Sequence, residues 1–170
     1  MTDAPLWDTP PPPTVPARYT ERQMLDLLAE RYGKTHGNGP RYVFAEHVRS
    51  IAGATWKSLR VCDAIAVDLW ESGGNAVHGH EVKVSRSDWL TELRHPAKAD
   101  EFKRHCDYWW LVVPSVEIVR SDLPLGWGLM AIGADGRLRV RKRAPKLSPE
   151  PMGVDRWAAL LRAAVKTRWA

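Results

Sequence analysis

Cysteine is scarce in this chain: Cys62 and Cys106 are the only two in 170 residues. Two thiols cannot staple a secreted scaffold, so the composition points to a reducing, cytoplasmic setting with both thiols free. Long apolar runs are missing as well. The longest, around 109–113, falls far short of the ~18 residues that span a bilayer. The opening MTDAPLWDTPPPP has neither the basic region nor the apolar stretch of a secretion signal. Acidic residues are outnumbered, 20 against 25 basic ones, and the net charge of +5 suits a polyanionic partner. Membrane protein, disulfide scaffold and disordered chain are excluded on these grounds.

What is present divides the chain in two. Residues 1–19 hold six of the 13 prolines and no apolar periodicity, which predicts a disordered Pro-rich tail. Residues 20–170 then read as one domain. Thr20 to Gln23 has capping-box spacing, and Met24, Leu25, Leu28 and Tyr32 recur at helical spacing before Gly33. A second helix is expected over about 42–51, with Val43, Phe44, His47 and Val48 on one stripe. The period then changes. Residues 63–70 and 76–84 read as paired strands around the turn sequence ESGGN. Ser85 to Asp88 has capping spacing again, and Pro96 separates that helix from one over 97–105. Residues 107–114, DYWWLVVP, read as a strand buried on both faces. A hairpin around Ala134-Asp135-Gly136 and an amphipathic helix over 155–169 complete the chain. This order predicts an α/β domain with a mixed central sheet flanked by helices.

Two weaker patterns are set aside. Gly33-Lys34-Thr35 lacks the first glycine of a phosphate loop, since position 28 is leucine. His78 and His80 share a strand face, but no C-x-x-C or H-x-x-x-H spacing supports zinc; they read as polar positions on a partly solvated strand.

The chemistry gathers in residues 63–83. Glu81 and Lys83 project to one strand face, and the hairpin brings Asp63 on the neighbouring strand close to them. Two carboxylates can fix Mg²⁺ or Mn²⁺ while leaving positions for water and a substrate phosphate, and a lysine beside them can stabilise growing negative charge. Burying such carboxylates without partners would cost several kcal/mol, which argues against a merely decorative surface pair.

The pattern Asp63…Glu81-Val82-Lys83 resembles the PD-(D/E)xK nuclease superfamily. The continuation Glu81-Val82-Lys83-Val84-Ser85-Arg86-Ser87-Asp88-Trp89-Leu90 and the later 106–114 segment are similar to its MmcB-like DNA-repair branch, also met in phages. The resemblance covers about residues 41–114, with Cys62 where the family name expects proline. It implies a restriction-endonuclease-like αβββαβ core, here with an added C-terminal hairpin and helix. It further implies a divalent-metal-dependent deoxyribonuclease of DNA repair, recombination or phage DNA processing, in a bacterium or a phage-infected cell. By resemblance, Asp63 and Glu81 hold the metal and Lys83 serves the attacking water. Glu46, from the preceding helix, is the candidate for a further catalytic and metal-binding carboxylate. Ser85 and Ser87 at the helix start and Lys98 on the following helix are candidate nucleic-acid contacts.

Arg137, Arg139, Arg141 and Arg143 alternate with Leu138 and Val140, so they share one strand face and form either a charged protective edge or a phosphate-tracking ridge. The expected partner is DNA, whether duplex, branched or single-stranded. Homodimerisation and a protein partner for the Pro-rich tail stay open. Two rival readings also stand: an inactive DNA-binding module of the same fold, and a protein-interaction domain.

Overall fold

The computed structural model describes residues 18–37, 39–50, 60–95 and 97–169; residues 1–17, most of the expected tail, lie outside the described residues. Helix α1 (Glu21–Tyr32) starts where the capping box predicts. Thr20 Oγ1 accepts from the Gln23 amide, and Gln23 Oε1 accepts from the Thr20 amide. Its apolar stripe buries Met24, Leu25, Leu28 and Tyr32. A two-residue ladder, β1 (Thr35–His36) with β2 (Gly39–Pro40), leads into the sheet.

The sheet has six strands in the order of the chain: β3 (Tyr42–Arg49), β4 (Val61–Asp68), β5 (Val77–Val82), β6 (Tyr108–Val113), β7 (Trp127–Ile132) and β8 (Leu138–Lys142). β3, β4 and β5 are antiparallel neighbours. β6 runs parallel to both β5 and β7, and β8 returns antiparallel. The architecture is thus mixed α/β, as the element order predicts. The helix expected over about 42–51 is not there: residues 42–49 form strand β3. Its apolar residues occupy both faces because both are covered, Phe44 and Tyr42 packing toward α1 and Ala45 and Val48 toward the opposite core. Residues 51–59, which follow it, lie outside the described residues.

Two helices, α2 (Arg86–Leu93) and α3 (Ala97–Lys103), connect β5 to its parallel neighbour β6. The C-terminal helix α4 (Val154–Trp169) returns to pack on β3, where Thr167 Oγ1 accepts from the Glu46 amide at 2.9 Å. One core therefore joins Trp89, Phe102, Trp109, Leu111 and Leu160 between the sheet and α2, α3 and α4. The other joins Met24, Leu25, Ala64, Ala66 and Val112 between the sheet and α1. β6 is buried on both sides, as its unbroken apolar run predicts. Gly79 of β5 permits close packing against β6, because a Cβ there would lie 2.3 Å from Trp109 Cζ3. Among the described residues, no helix is long and apolar enough to cross a membrane.

Candidate active site

Strands β3 and β4 both lose their two-residue alternation at one level. On β4, Ala64 and Ala66 face α1 while Ile65 and Val67 face the other core, yet Cys62 belongs with Ile65. On β3, Ala45 and Val48 share a core although they are three residues apart. Between them His47 takes a left-handed backbone conformation, φ 49°, uncommon for a residue with a Cβ. The pairing of Glu46 with Ala64 and of Val48 with Cys62 places His47 level with Asp63.

The same level ends the β4–β5 ladder, whose final pair is Ala64 with His80. Beyond it, the Val82 amide donates to Asp63 Oδ2 at 2.7 Å, so a carboxylate occupies the place of a backbone partner. Glu81, in register with Leu111 of β6, lies beside it. Lys83 follows the strand end, held by its amide to the Val112 carbonyl at 3.0 Å. Its Nζ reaches Glu81 Oε1 at 2.5 Å and Glu92 Oε2 at 3.3 Å.

Glu92 was not singled out from the sequence. It sits three residues after Trp89 on α2 and is 9% exposed, on the buried side of the helix. A charged residue at that spacing from a buried tryptophan was the available signal. Glu81, Lys83 and Glu92 open into a cavity of about 280 Å³, with Arg60 and Lys98 exposed at its rim.

Burial sets the electrostatics. Burial first and the neighbouring Asp63 second push the Glu81 carboxyl up to about 8, against the pull of Lys83. Asp63 is also raised, chiefly by burial, with the Val82 amide and Lys83 opposing. Burial alone would lower Lys83, but Glu81, Asp63 and Glu92 outweigh it and hold the ammonium protonated. The centre thus carries more carboxylates than its one buried ammonium can balance. Mg²⁺ is typically held by one or two carboxylates, completed by waters and substrate phosphates. The Asp63–Glu81 pair fits that donor set. Among the described residues no group of three or more His, Cys, Asp or Glu side chains gathers into a metal cage.

The other expected positions are distributed differently. Glu46 lies on β3, not on a helix, and its carboxylate accepts from Arg22 Nη1 and Nη2 at 2.6 and 2.7 Å, tethering α1 to the sheet. Ser85 is the N-cap of α2: its Oγ accepts from the Asp88 amide at 3.2 Å and bonds the Ser87 hydroxyl at 2.9 Å. Along β8, Leu138 alone is buried, and Val140 is 39% exposed rather than turned into a core. A register shift against Leu129 and Met130 breaks the strand's alternation. Arg139 is paired with Asp135, Arg137 lies 3.5 Å from Glu30, and Arg141 donates to the Ile132 carbonyl at 3.1 Å. Most of that row is engaged within the chain.

The two histidines differ in burial: His78 is half-buried, as a partly solvated strand predicts, and His80 is not solvated. His80 is fully buried, with Nε2 2.9 Å from the Tyr32 hydroxyl and Nδ1 3.3 Å from the Ala64 carbonyl. His78 Nδ1 accepts from Trp110 Nε1 at 3.2 Å. Cys62 and Cys106 are both free and buried.

No family model and no curated protein matches the chain. Among solved structures, the fold is similar to a protein of unknown function from Silicibacter pomeroyi. The TM-score is 0.52 at 20% identity, over 76% of this chain and 75% of that one.

Proposed function

We propose that this chain is a divalent-metal-dependent deoxyribonuclease of the PD-(D/E)xK kind. The observation that carries the reading is the closeness of Asp63 to Glu81 and Lys83 where the β4–β5 ladder ends, with Glu81 and Lys83 lining an open cavity that has basic residues at its rim. The element order supports it: α1, three antiparallel strands, a helical connection and the parallel strand β6 match αβββαβ, with β7, β8 and α4 appended.

Asp63 and Glu81 would hold the cation, which when bound offsets charge on the phosphoryl oxygens and acidifies a coordinated water. Lys83 remains protonated between Glu81 and Glu92, so it acts as a fixed positive donor toward developing negative charge. Glu92 positions that ammonium. Lys98 and Arg60 are suited to receive the flanking phosphates.

The test is cleavage of duplex, branched and single-stranded DNA with Mg²⁺ or Mn²⁺, alongside Glu81→Gln and Lys83→Ala. Cutting by the wild type that both substitutions abolish, with DNA binding retained, is the expected result. Binding without metal-dependent cutting would favour the inactive module, and cutting by Glu81→Gln at the native rate would overturn the site assignment.

A further inference from the structure

On the opposite face of the sheet, at the end where β5 begins, lies a second cavity of about 460 Å³. That volume falls within the roughly 300–1,000 Å³ of small-molecule sites. Its walls carry Tyr42, His78, Tyr108 and Trp110, and Arg41 and Arg143 complete the lining. The rings are ordered relative to one another. His78 stacks on Tyr108 with centroids 4.8 Å apart and planes 19° apart, and on Trp110 at 6.5 Å and 17°. Tyr42 meets His78 edge-on at 6.3 Å. The register produces this arrangement: His78 of β5 stands directly beside Tyr108 of β6, and Trp110 follows two residues on, on the same face.

The cavity lining carries two arginines and one aspartate, and the aspartate is already paired. Asp68 is its acidic residue, and that carboxylate is fully engaged: Oδ2 accepts from Arg41 Nε at 3.0 Å and Nη2 at 2.7 Å, and Oδ1 accepts from the Trp70 amide at 3.0 Å. Its side chain is 3% exposed. Arg41 is in turn spread over the Tyr42 and Trp70 rings, at 5.2 and 5.6 Å from their centroids. Arg143 is exposed and has no hydrogen-bond or ion-pair partner among the described residues. Burial keeps His78 uncharged at neutral pH. A quaternary or amine cation would meet two guanidiniums and no available carboxylate here. A flat aromatic ligand bearing an anion meets stacking surfaces and a free guanidinium.

We propose that this cavity binds a nucleotide, its base against the Tyr108–His78–Trp110 wall and its phosphate at Arg143. The site is separate from the Asp63–Glu81–Lys83 centre, which lies at the far end of β5 and opens toward α2 and α3. It requires no metal. The nucleotide could arrive free or as an unpaired residue of a DNA strand; the base and phosphate chemistry is the same.

The experiment uses the full chain in EDTA, with a fluorescein-labelled single-stranded oligodeoxyadenylate read by anisotropy. Deoxyadenosine monophosphate and inorganic phosphate serve as competitors. Wild type should bind, Tyr108→Ala should weaken binding about tenfold, and Arg143→Ala should lower the log–log salt slope by about 0.7, one phosphate contact on a single strand. Competition by the mononucleotide at matching concentration identifies a free-nucleotide site; much weaker competition identifies a strand-end site, and either supports the proposal. No binding by the wild type overturns it. So does unchanged affinity in both variants, or displacement by inorganic phosphate as effective as by the mononucleotide. If Tyr108→Ala does not fold, the exposed Arg143→Ala decides. Because binding is read without metal, failure of the nuclease reading leaves this result standing, and the reverse also holds.

Discussion

Lys83 stands between Glu81 and Glu92, 2.5 Å from one carboxylate and 3.3 Å from the other, with all three side chains at most 16% exposed. Removing the cation would leave two buried acids without their shared partner. Lys83→Met should therefore lower stability by on the order of 3 kcal/mol, read from urea unfolding. Adding Glu92→Gln should recover part of the loss, because one of the stranded charges is then gone. An unfolding midpoint equal to wild type in Lys83→Met would show that the three groups are not interdependent.

Glu46 tests whether a carboxylate paired with Arg22 serves the fold or the proposed metal site. Its bidentate pair with Arg22 ties α1 to β3, while Arg22 itself is 53% exposed. Glu46→Gln should cost about 1 kcal/mol, since one partner is solvent-screened. Cleavage should fall far less than in Asp63→Ala. Equal loss of activity in the two variants would return Glu46 to the metal site.

Gly79 tests the packing that brings β5 against Trp109. An added Cβ would meet the Trp109 ring at 2.3 Å and Cys106 Sγ at 2.9 Å, and Trp109 is fully buried. Gly79→Ala should destabilise the chain by about 3 kcal/mol through overpacking. Thermal melts of Gly79→Ala with and without Trp109→Phe would check this, the smaller ring restoring part of the loss.

Acidification should weaken the fold through His78. Burial lowers its folded pKa from 6.5 to about 4, so the unfolded chain binds the proton first as pH falls. The stability associated with the neutral ring is complete above pH 6.5 and is lost below it, by about 3 kcal/mol at pH 4. His78→Phe should be less stable at neutral pH, because Trp110 Nε1 loses its acceptor, but its stability should decline less steeply between pH 6.5 and 4. Parallel pH curves for the two proteins would remove His78 from the acid response.

Much of this molecule follows from local patterns. The Thr20 and Ser85 caps, the hairpin between β4 and β5, the doubly buried β6 and the α4 helix depend on neighbours within a few residues, so spacing alone reveals them. The E-x-K triplet and the upstream aspartate are legible for the same reason. β3 is different. Its stripe of Val43, Phe44, His47 and Val48 imitates a helix, because both faces are covered and the strand slips phase at His47. The helix that covers one of those faces, α4, lies more than a hundred residues later, as the bond from Glu46 to Thr167 records. Glu92 reaches Lys83, and Glu46 pairs with Arg22, through the placement of helices on the sheet. The aromatic wall of His78, Tyr108 and Trp110 likewise exists only once β5 and β6 lie in register. Sequence periodicity determines which faces are apolar and where elements begin and end. Which distant side chains meet is decided by packing, because that depends on the joint burial of surfaces that no local window contains.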